Sequence, residues 1–177
     1  MRDIDRLKYA LEDVDYVVHT AAMKQIQVAE FNPFEAVKTN IIGGQNVIDA
    51  CIHSGIKKVL CLSTDKAVAP NSLYGATKLA SDKLFIAANS HQHKRGIKFS
   101  IVRCGNVMGS NASVIPFFQK QRSSGTIPVT DERMTRFNIS LQQWVDFAIM
   151  VLDRMWGGEI YIPKMPSYKI TDLAKAI

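Results

Sequence analysis

Two hydrophobic textures alternate along the first hundred residues. Short unbroken apolar runs, Asp15–His19, Lys57–Ser63 and Phe99–Arg103, are rich in β-branched residues. Such runs suit strands buried on both faces. Between them lie longer stretches with apolar residues three or four apart, the spacing of a helix face. Asp3–Leu11 predicts a short helix. Asn32-Pro33 predicts the start of another, because proline fits the first helical turn; it runs to about His53 and stops at Gly55. A third begins near Leu73, buries Ala76, Ala80, Leu84 and Ala87, and ends at Gly96. Beyond Gly105 the texture changes to short segments rich in Gly, Ser, Asn and Pro. They lead to a predicted strand at Ile127–Thr130, a helix over Leu141–Met155, and a strand at Glu159–Ile162 behind Gly157-Gly158.

Strand–helix alternation with apolar strands predicts the α/β class: a Rossmann-like, doubly wound parallel sheet. Without repeats or linkers, residues 1–177 read as one domain, with insertions around 106–140 and 163–177. Ligands of such sheets gather at the carboxyl ends of the strands. Here those ends are His19-Thr20-Ala21-Ala22, Ser63-Thr64-Asp65-Lys66 and Arg103-Cys104-Gly105-Asn106.

Composition narrows the function classes. An apolar fraction of 47% excludes a disordered chain. No apolar run is long enough to span a membrane, and Met1–Asp5 lacks the apolar core of a signal peptide. Cys51, Cys61 and Cys104 have no metal-like spacing and read as reduced thiols of a cytoplasmic protein, with no metal expected. The net charge of +6 is scattered; the dense groups are Lys57-Lys58 and His93-Lys94-Arg95. No basic stripe with interleaved aromatics marks a nucleic-acid surface; the scattered charge reads first as solvated surface lysines, and a diphosphate ligand would explain part of the remainder.

Tyr74 and Lys78, at i and i+4, share one helix face. A phenol is a poor base at its ordinary pKa of about 10. A neighbouring ammonium joined by a cationic nicotinamide would draw that pKa toward neutrality. On spacing alone the pair reads as a solvated lysine beside a half-buried tyrosine. Its place after the strand ending in Ser63-Thr64 favours chemistry. Asp65-Lys66 follows that strand directly. Neighbours on a strand point to opposite faces, so the two reach one ligand only if the chain turns there. They then form an acid/base pair suited to elimination, or a surface ion pair in a loop.

The stretches Leu62–Ala67 and Asn71–Phe85 closely resemble the inverting UDP-N-acetylglucosamine 4,6-dehydratases, extended short-chain dehydrogenase/reductases of the polysaccharide biosynthesis type. So do His19–Gln25, Lys38-Thr39-Asn40, Arg103–Val107, Arg133–Phe137 and Gly157–Lys164. The configuration-retaining, membrane-bound relatives typically carry Met at the place of Tyr74. The resemblance implies a three-step reaction. Tyr74, helped by Lys78 and Thr64, takes the proton of the sugar 4-hydroxyl as hydride leaves C4. Lys66, its pKa lowered by burial and nearby cations, removes the C5 proton while Asp65 protonates the departing 6-hydroxyl. Hydride returns to C6, and C5 is reprotonated from the other face.

The same resemblance implies NADP, with NAD as the alternative, and a UDP-sugar substrate. Ala21, Ala22 and Asn40, with Tyr74 and Lys78, would line the cofactor site. Lys24, Asn106 and Arg136 would face the sugar nucleotide, although Asn106 also fits a loop-capping amide. A homo-oligomer is implied for the full-length protein. The family pattern begins with a Gly-rich pyrophosphate turn, whereas no glycine precedes Gly43 here, so the chain reads as a fragment, inactive by itself. A non-catalytic remnant and a related nucleotide-sugar epimerase are the other readings. Cys104, Asn111-Ala112 and Asn138 stand where the family usually has Tyr, Arg-Gly and Trp.

Overall fold

The computed structural model describes residues 1–91, 96–110 and 113–177. The basic group His93-Lys94-Arg95 and the pair Asn111-Ala112 lie outside the described residues. The chain divides into two compact units. One comprises Met1–Cys104 with Ala148–Ile162, the other Gly105–Phe147 with Pro163–Ile177.

In the first unit, α1 (Ile4–Ala10) starts at Asp3, whose carboxylate accepts the Arg6 N–H at 2.9 Å. After β1 (Tyr16–His19) come α2 (Ile26–Phe31), α3 (Pro33–Val37), a π-helical turn (Lys38–Ile42) and α4 (Gly43–Ser54). Gly55, at φ 71°, closes α4 in the left-handed conformation that only glycine adopts freely. β2 (Lys58–Thr64) leads through a 3₁₀ turn (Asp65–Ala67) to α5 (Leu73–His91) and β3 (Lys98–Cys104). The second unit holds β4 (Asn106–Val107), α6 (Val114–Gln121) and β5 (Thr135–Ile139). The helix α7 (Leu141–Arg154) then leads to β6 (Ile160–Tyr161) of the first unit, and β7 (Ser167–Lys169) and α8 (Ile170–Ala176) complete the second.

Strands β1, β2, β3 and β6 form a parallel sheet in that order, with Val18 opposite Leu60, Cys61 opposite Ile101, and Ile101 opposite Ile160. With its flanking helices this is a Rossmann-like arrangement. Its core joins Val59, Cys61, Phe99 and Ile101 from the strands to Val47, Ile48 and Cys51 of α4 and Phe85 and Ala88 of α5. β2 and β3 are buried through most of their length, as their apolar runs predict. Among the described residues β1 pairs with β2 alone, and Tyr16 and Val18 are half exposed.

Four local readings need correction. The segment Ile127–Thr130 forms no strand, since Pro128 cannot donate to a ladder; the strand in this region is β5. The helix from Pro33 to Ser54 is interrupted by the π turn. The helix α2 has no counterpart in the hydrophobic pattern. On α5 the buried face is Tyr74, Thr77, Lys78, Ser81, Asp82, Phe85 and Ala88, while Ala76 and Ala87 are exposed. The stripe is polar at its start, where Asn40, Thr64 and Arg103 meet it, and apolar at Phe85 and Ala88, which join the core.

Two side chains fasten the far end of the sheet. Asn89 exchanges hydrogen bonds with the Phe99 backbone, at 2.9 and 3.0 Å, extending β3 by a side-chain amide. A Cβ on Gly157 would stand 2.6 Å from that amide oxygen, so only glycine passes. Burial favours a neutral Glu159 carboxyl, but bonds from Ser100 and the Trp156 and Gly157 amides outweigh it and hold its pKa below the ordinary value.

Candidate active site

The first unit gathers the predicted acid/base residues at the carboxyl end of β2 and the start of α5. The chain does leave the strand at Asp65, as shared use of Asp65 and Lys66 requires. Thr64 donates to Asp65 Oδ1 at 2.9 Å, and Lys66 Nζ donates to the same oxygen at 3.1 Å. The Thr64 hydroxyl also accepts the Lys66 N–H at 3.3 Å, which caps the 3₁₀ turn. Lys66 is not buried as its assigned role anticipates. Its side chain is 38% exposed, because the turn lifts it out of the sheet onto the rim.

Tyr74 and Lys78 are both buried on α5. Lys78 Nζ donates to the Leu62 carbonyl at 2.9 Å. Burial pushes the Tyr74 phenol above its ordinary value; a hydrogen bond with Thr64 opposes this, and the Asp65 and Asp82 carboxylates add to it. The lowering expected of Lys78 joined by a cationic nicotinamide concerns the cofactor-bound protein; in the chain by itself burial prevails.

Asn40 sits in the π turn, 2% exposed. It accepts the Met23 N–H at 2.8 Å and donates to the Met23 carbonyl at 3.1 Å and the Thr77 hydroxyl at 3.0 Å. Thr77 in turn donates to the Tyr74 carbonyl at 2.9 Å. Asn40 therefore ties the segment holding Ala21, Ala22 and Lys24 to α5. The small side chains of Ala21 and Ala22 and the exposed Lys24 follow β1 directly.

A phenol and an ammonium on one helix face, tied through Asn40 to the segment with the small side chains of Ala21 and Ala22, are groups that could hold the nicotinamide end of a dinucleotide. His19 and Arg103 stand on the strand ends that the sequence marks, without a role of their own, and Asp82 is not singled out there. Asp82 lies one turn beyond Lys78, the signal that could have marked it. It is 1% exposed and pairs with Arg103 Nε at 2.9 Å. His19 stacks on Phe85 with centroids 5.5 Å apart.

Burial, with smaller contributions from the Lys78 ammonium and the N-terminal charge, lowers the His19 pKa from 6.5 to about 4. The unfolded chain therefore takes up this proton first as the pH falls. The stabilisation is complete above pH 6.5 and is lost on acidification toward about 4. Urea unfolding at stepped pH is expected to show this acid slope in the parent and a shallower one in His19→Gln. An equal slope in both would assign it to another group.

In the second unit, β4 pairs with β5 (Asn106 opposite Asn138) and β5 pairs antiparallel with β7 (Arg136 opposite Tyr168). Asn138 donates to the Tyr168 hydroxyl, a polar pair at the position where the family usually has Trp. Phe137 packs over Gly105, where a Cβ would clash with its ring. A cavity of about 610 Å³ lies within this unit, walled by Phe117, Phe118, Pro128, Val129 and Met134, with Lys120 and Arg136 as its cations. Cys104 is buried at the end of β3 in the first unit.

The sequence pattern of the polysaccharide biosynthesis protein family matches residues 1–177. The chain belongs to this family. It is 58% identical over 179 aligned residues to the UDP-N-acetylglucosamine 4,6-dehydratase (inverting) of Campylobacter jejuni, covering all of this chain and 54% of that protein. The X-ray structure of Pen from Bacillus thuringiensis is 44% identical and superposes with a TM-score of 0.91 over 98% of this chain and 55% of that one. A DesIV double mutant (dTDP-glucose 4,6-dehydratase) from Streptomyces venezuelae, solved with NAD bound, is 25% identical, with a TM-score of 0.86 over 99% and 60%. The chain thus spans about half the length of the curated relatives it matches. No helix among the described residues is long and apolar enough to cross a membrane.

Proposed function

We propose that these residues are the acid/base centre of a UDP-N-acetylglucosamine 4,6-dehydratase that inverts C5, acting in the full-length protein with NADP, or alternatively NAD. The carrying observation is the Asp65–Lys66 ion pair on the turn that leaves β2, beside Thr64 and Tyr74. A reductase or epimerase needs the phenol and the lysine; elimination needs an added acid and base at the next carbon.

When bound, the nicotinamide supplies reversible acceptance of a hydride. Tyr74 takes the 4-hydroxyl proton as a phenolate, a state its burial and the Asp65 and Asp82 carboxylates disfavour in the present arrangement. A cationic ring beside it would offset these charges. Lys78, anchored on the Leu62 carbonyl, orients toward the same face. The ketone at C4 acidifies C5, so Lys66 removes that proton as Asp65 protonates the 6-hydroxyl, which departs as water. Charge within the pair passes from ammonium–carboxylate toward the forms each role requires by one proton exchange along the 3.1 Å contact. With the hydride returned to C6, reprotonation of C5 from the opposite face completes the product and gives inversion. In the second unit, the 610 Å³ cavity has the size of a nucleotide pocket. Arg136 there suits a diphosphate, because its planar fork binds two oxygens at once.

The test is to incubate the full-length protein with UDP-N-acetylglucosamine and NADP or NAD in D₂O. The expected product is a 4-keto-6-deoxy sugar nucleotide with deuterium at C5 and inverted configuration. Retention at C5, or C4 epimerisation without loss of water, would overturn the reading.

A further inference from the structure

The proposed site is built on two pieces of chain. Tyr74 and Lys78 belong to the start of α5, Asp65 and Lys66 to the 3₁₀ turn after β2. Gly75, buried beside Tyr74, is where the two pieces touch. A Cβ built on Gly75 would lie 2.2 Å from the Lys66 carbonyl oxygen, 3.2 Å from its carbon, and 2.9 Å from Pro70 Cβ. The first obstacle is backbone, which cannot swing aside like the end of a flexible side chain. The turn carrying Lys66 thus rests directly on the helix.

Neither piece has slack to absorb a side chain there. On the strand side, the Thr64 hydroxyl holds the Lys66 N–H at 3.3 Å. On the return path, Ala69 has a φ of 45°, unusual for a residue other than glycine. The chain then re-enters α5 with the Ser72 hydroxyl accepting the Gly75 N–H at 3.2 Å and the Ser72 carbonyl accepting the Ala76 N–H at 2.9 Å. On the helix side, Tyr74 and Lys78 are fixed independently, through Thr77 with Asn40 and through the Leu62 carbonyl. The conformation of Gly75 is ordinary helix, where alanine has the higher intrinsic propensity. Helix geometry therefore does not require glycine at this position; the contact does.

We infer that Gly75 is a positioning residue that sets the spacing between the oxidation pair Tyr74–Lys78 and the elimination pair Asp65–Lys66. The inference rests on the dehydratase reading above. A methyl group at 75 displaces the Lys66 carbonyl and the turn with it, leaving the better-anchored Tyr74 and Lys78 in place. Oxidation at C4 uses the pair that stays; elimination across C5 and C6 uses the pair that moves.

The test uses the full-length Gly75→Ala protein with UDP-N-acetylglucosamine and cofactor. Single-turnover cofactor reduction is expected to stay within about tenfold of the parent, while C5 deuterium exchange and product formation fall on the order of 100-fold, the scale of a ~1 Å misplacement. A crystal structure of the variant should show the Asp65–Lys66 turn withdrawn from α5, with Tyr74 and Lys78 unmoved. Pro70→Gly adds no atoms and frees the return path of the turn; it should loosen the placement of Asp65 and Lys66, give a smaller split of the same sign, and serve if the alanine variant does not fold. Equal loss of both steps, loss of neither, or an unmoved turn overturns the inference. A parent protein that reduces no cofactor with UDP-hexosamines would instead sink the proposed function, leaving the displacement of the turn to decide the role of Gly75.

Discussion

Full-length protein carrying Lys66→Ala is expected to oxidise UDP-N-acetylglucosamine at C4 and stop there. The substitution removes the proposed C5 base but leaves Tyr74, Lys78 and Thr64, which lie on other contacts: Lys78 on the Leu62 carbonyl, Tyr74 in hydrogen bond with Thr64. Removing a general base costs on the order of 100- to 10,000-fold. Product formation should fall by that factor, while the reduced cofactor and a 4-keto sugar accumulate to about one equivalent per site. Tyr74→Phe should fail one step earlier, with no cofactor reduction beyond a similarly small residue. The two variants together locate the steps, since a general loss of folding would abolish both signals in each. Rapid-quench analysis with absorbance of the reduced cofactor is the measurement. Normal turnover by Lys66→Ala would remove Lys66 from the mechanism and leave its contact with Asp65 as a plain surface ion pair.

Strands β2 and β3 were legible because they are buried through most of their length and carry unbroken apolar runs at Val59–Leu62 and Ile101-Val102. The helix α5 shows where that logic stops. Its alanines and Leu84 give a clean apolar period, yet the helix turns Tyr74, Thr77, Lys78, Ser81 and Asp82 inward. The hydrophobic pattern reports only what avoids water, and a site is lined by groups that must work away from water. The two motifs that chemistry alone marked, Tyr74 with Lys78 and Asp65 with Lys66, do come together. Asn40 was legible only as a motif member; its bonds to Met23 and Thr77 depend on a π turn that no periodicity announces. Ile127–Thr130 misled for a related reason. Its β-branched residues suit a strand, but Pro128 breaks the ladder, and Pro128, Val129 and Thr130 wall a cavity instead. Gly75 was silent, because a missing side chain acquires meaning only from what stands in its place.

Arg103→Met is expected to be among the most damaging single substitutions in the first unit, although Arg103 touches none of the proposed reacting groups. Its partner Asp82 is 1% exposed, and the Arg103 side chain is itself only 14% exposed. The Asp82 Oδ1 atom has no hydrogen-bond partner among the described residues, so the carboxylate relies on the guanidinium bond to its other oxygen. Removing one member of a buried pair strands a charge, which costs about 3–5 kcal/mol. That is a large part of the 5–15 kcal/mol that typically holds a domain together. Replacing both partners by apolar residues of similar size removes the charge as well as its mate, and such exchanges are often close to neutral. The double variant Asp82→Leu/Arg103→Met should therefore recover most of the loss, and Asp82→Leu alone should sit between the two. Urea unfolding of the four proteins, analysed as a double-mutant cycle, separates the pair's coupling from the desolvation of each partner. If Arg103→Met cost less than about 1 kcal/mol, within the range of an exposed pair, the pair would not be acting as a buried one and its place among the main supports of the first unit would fall.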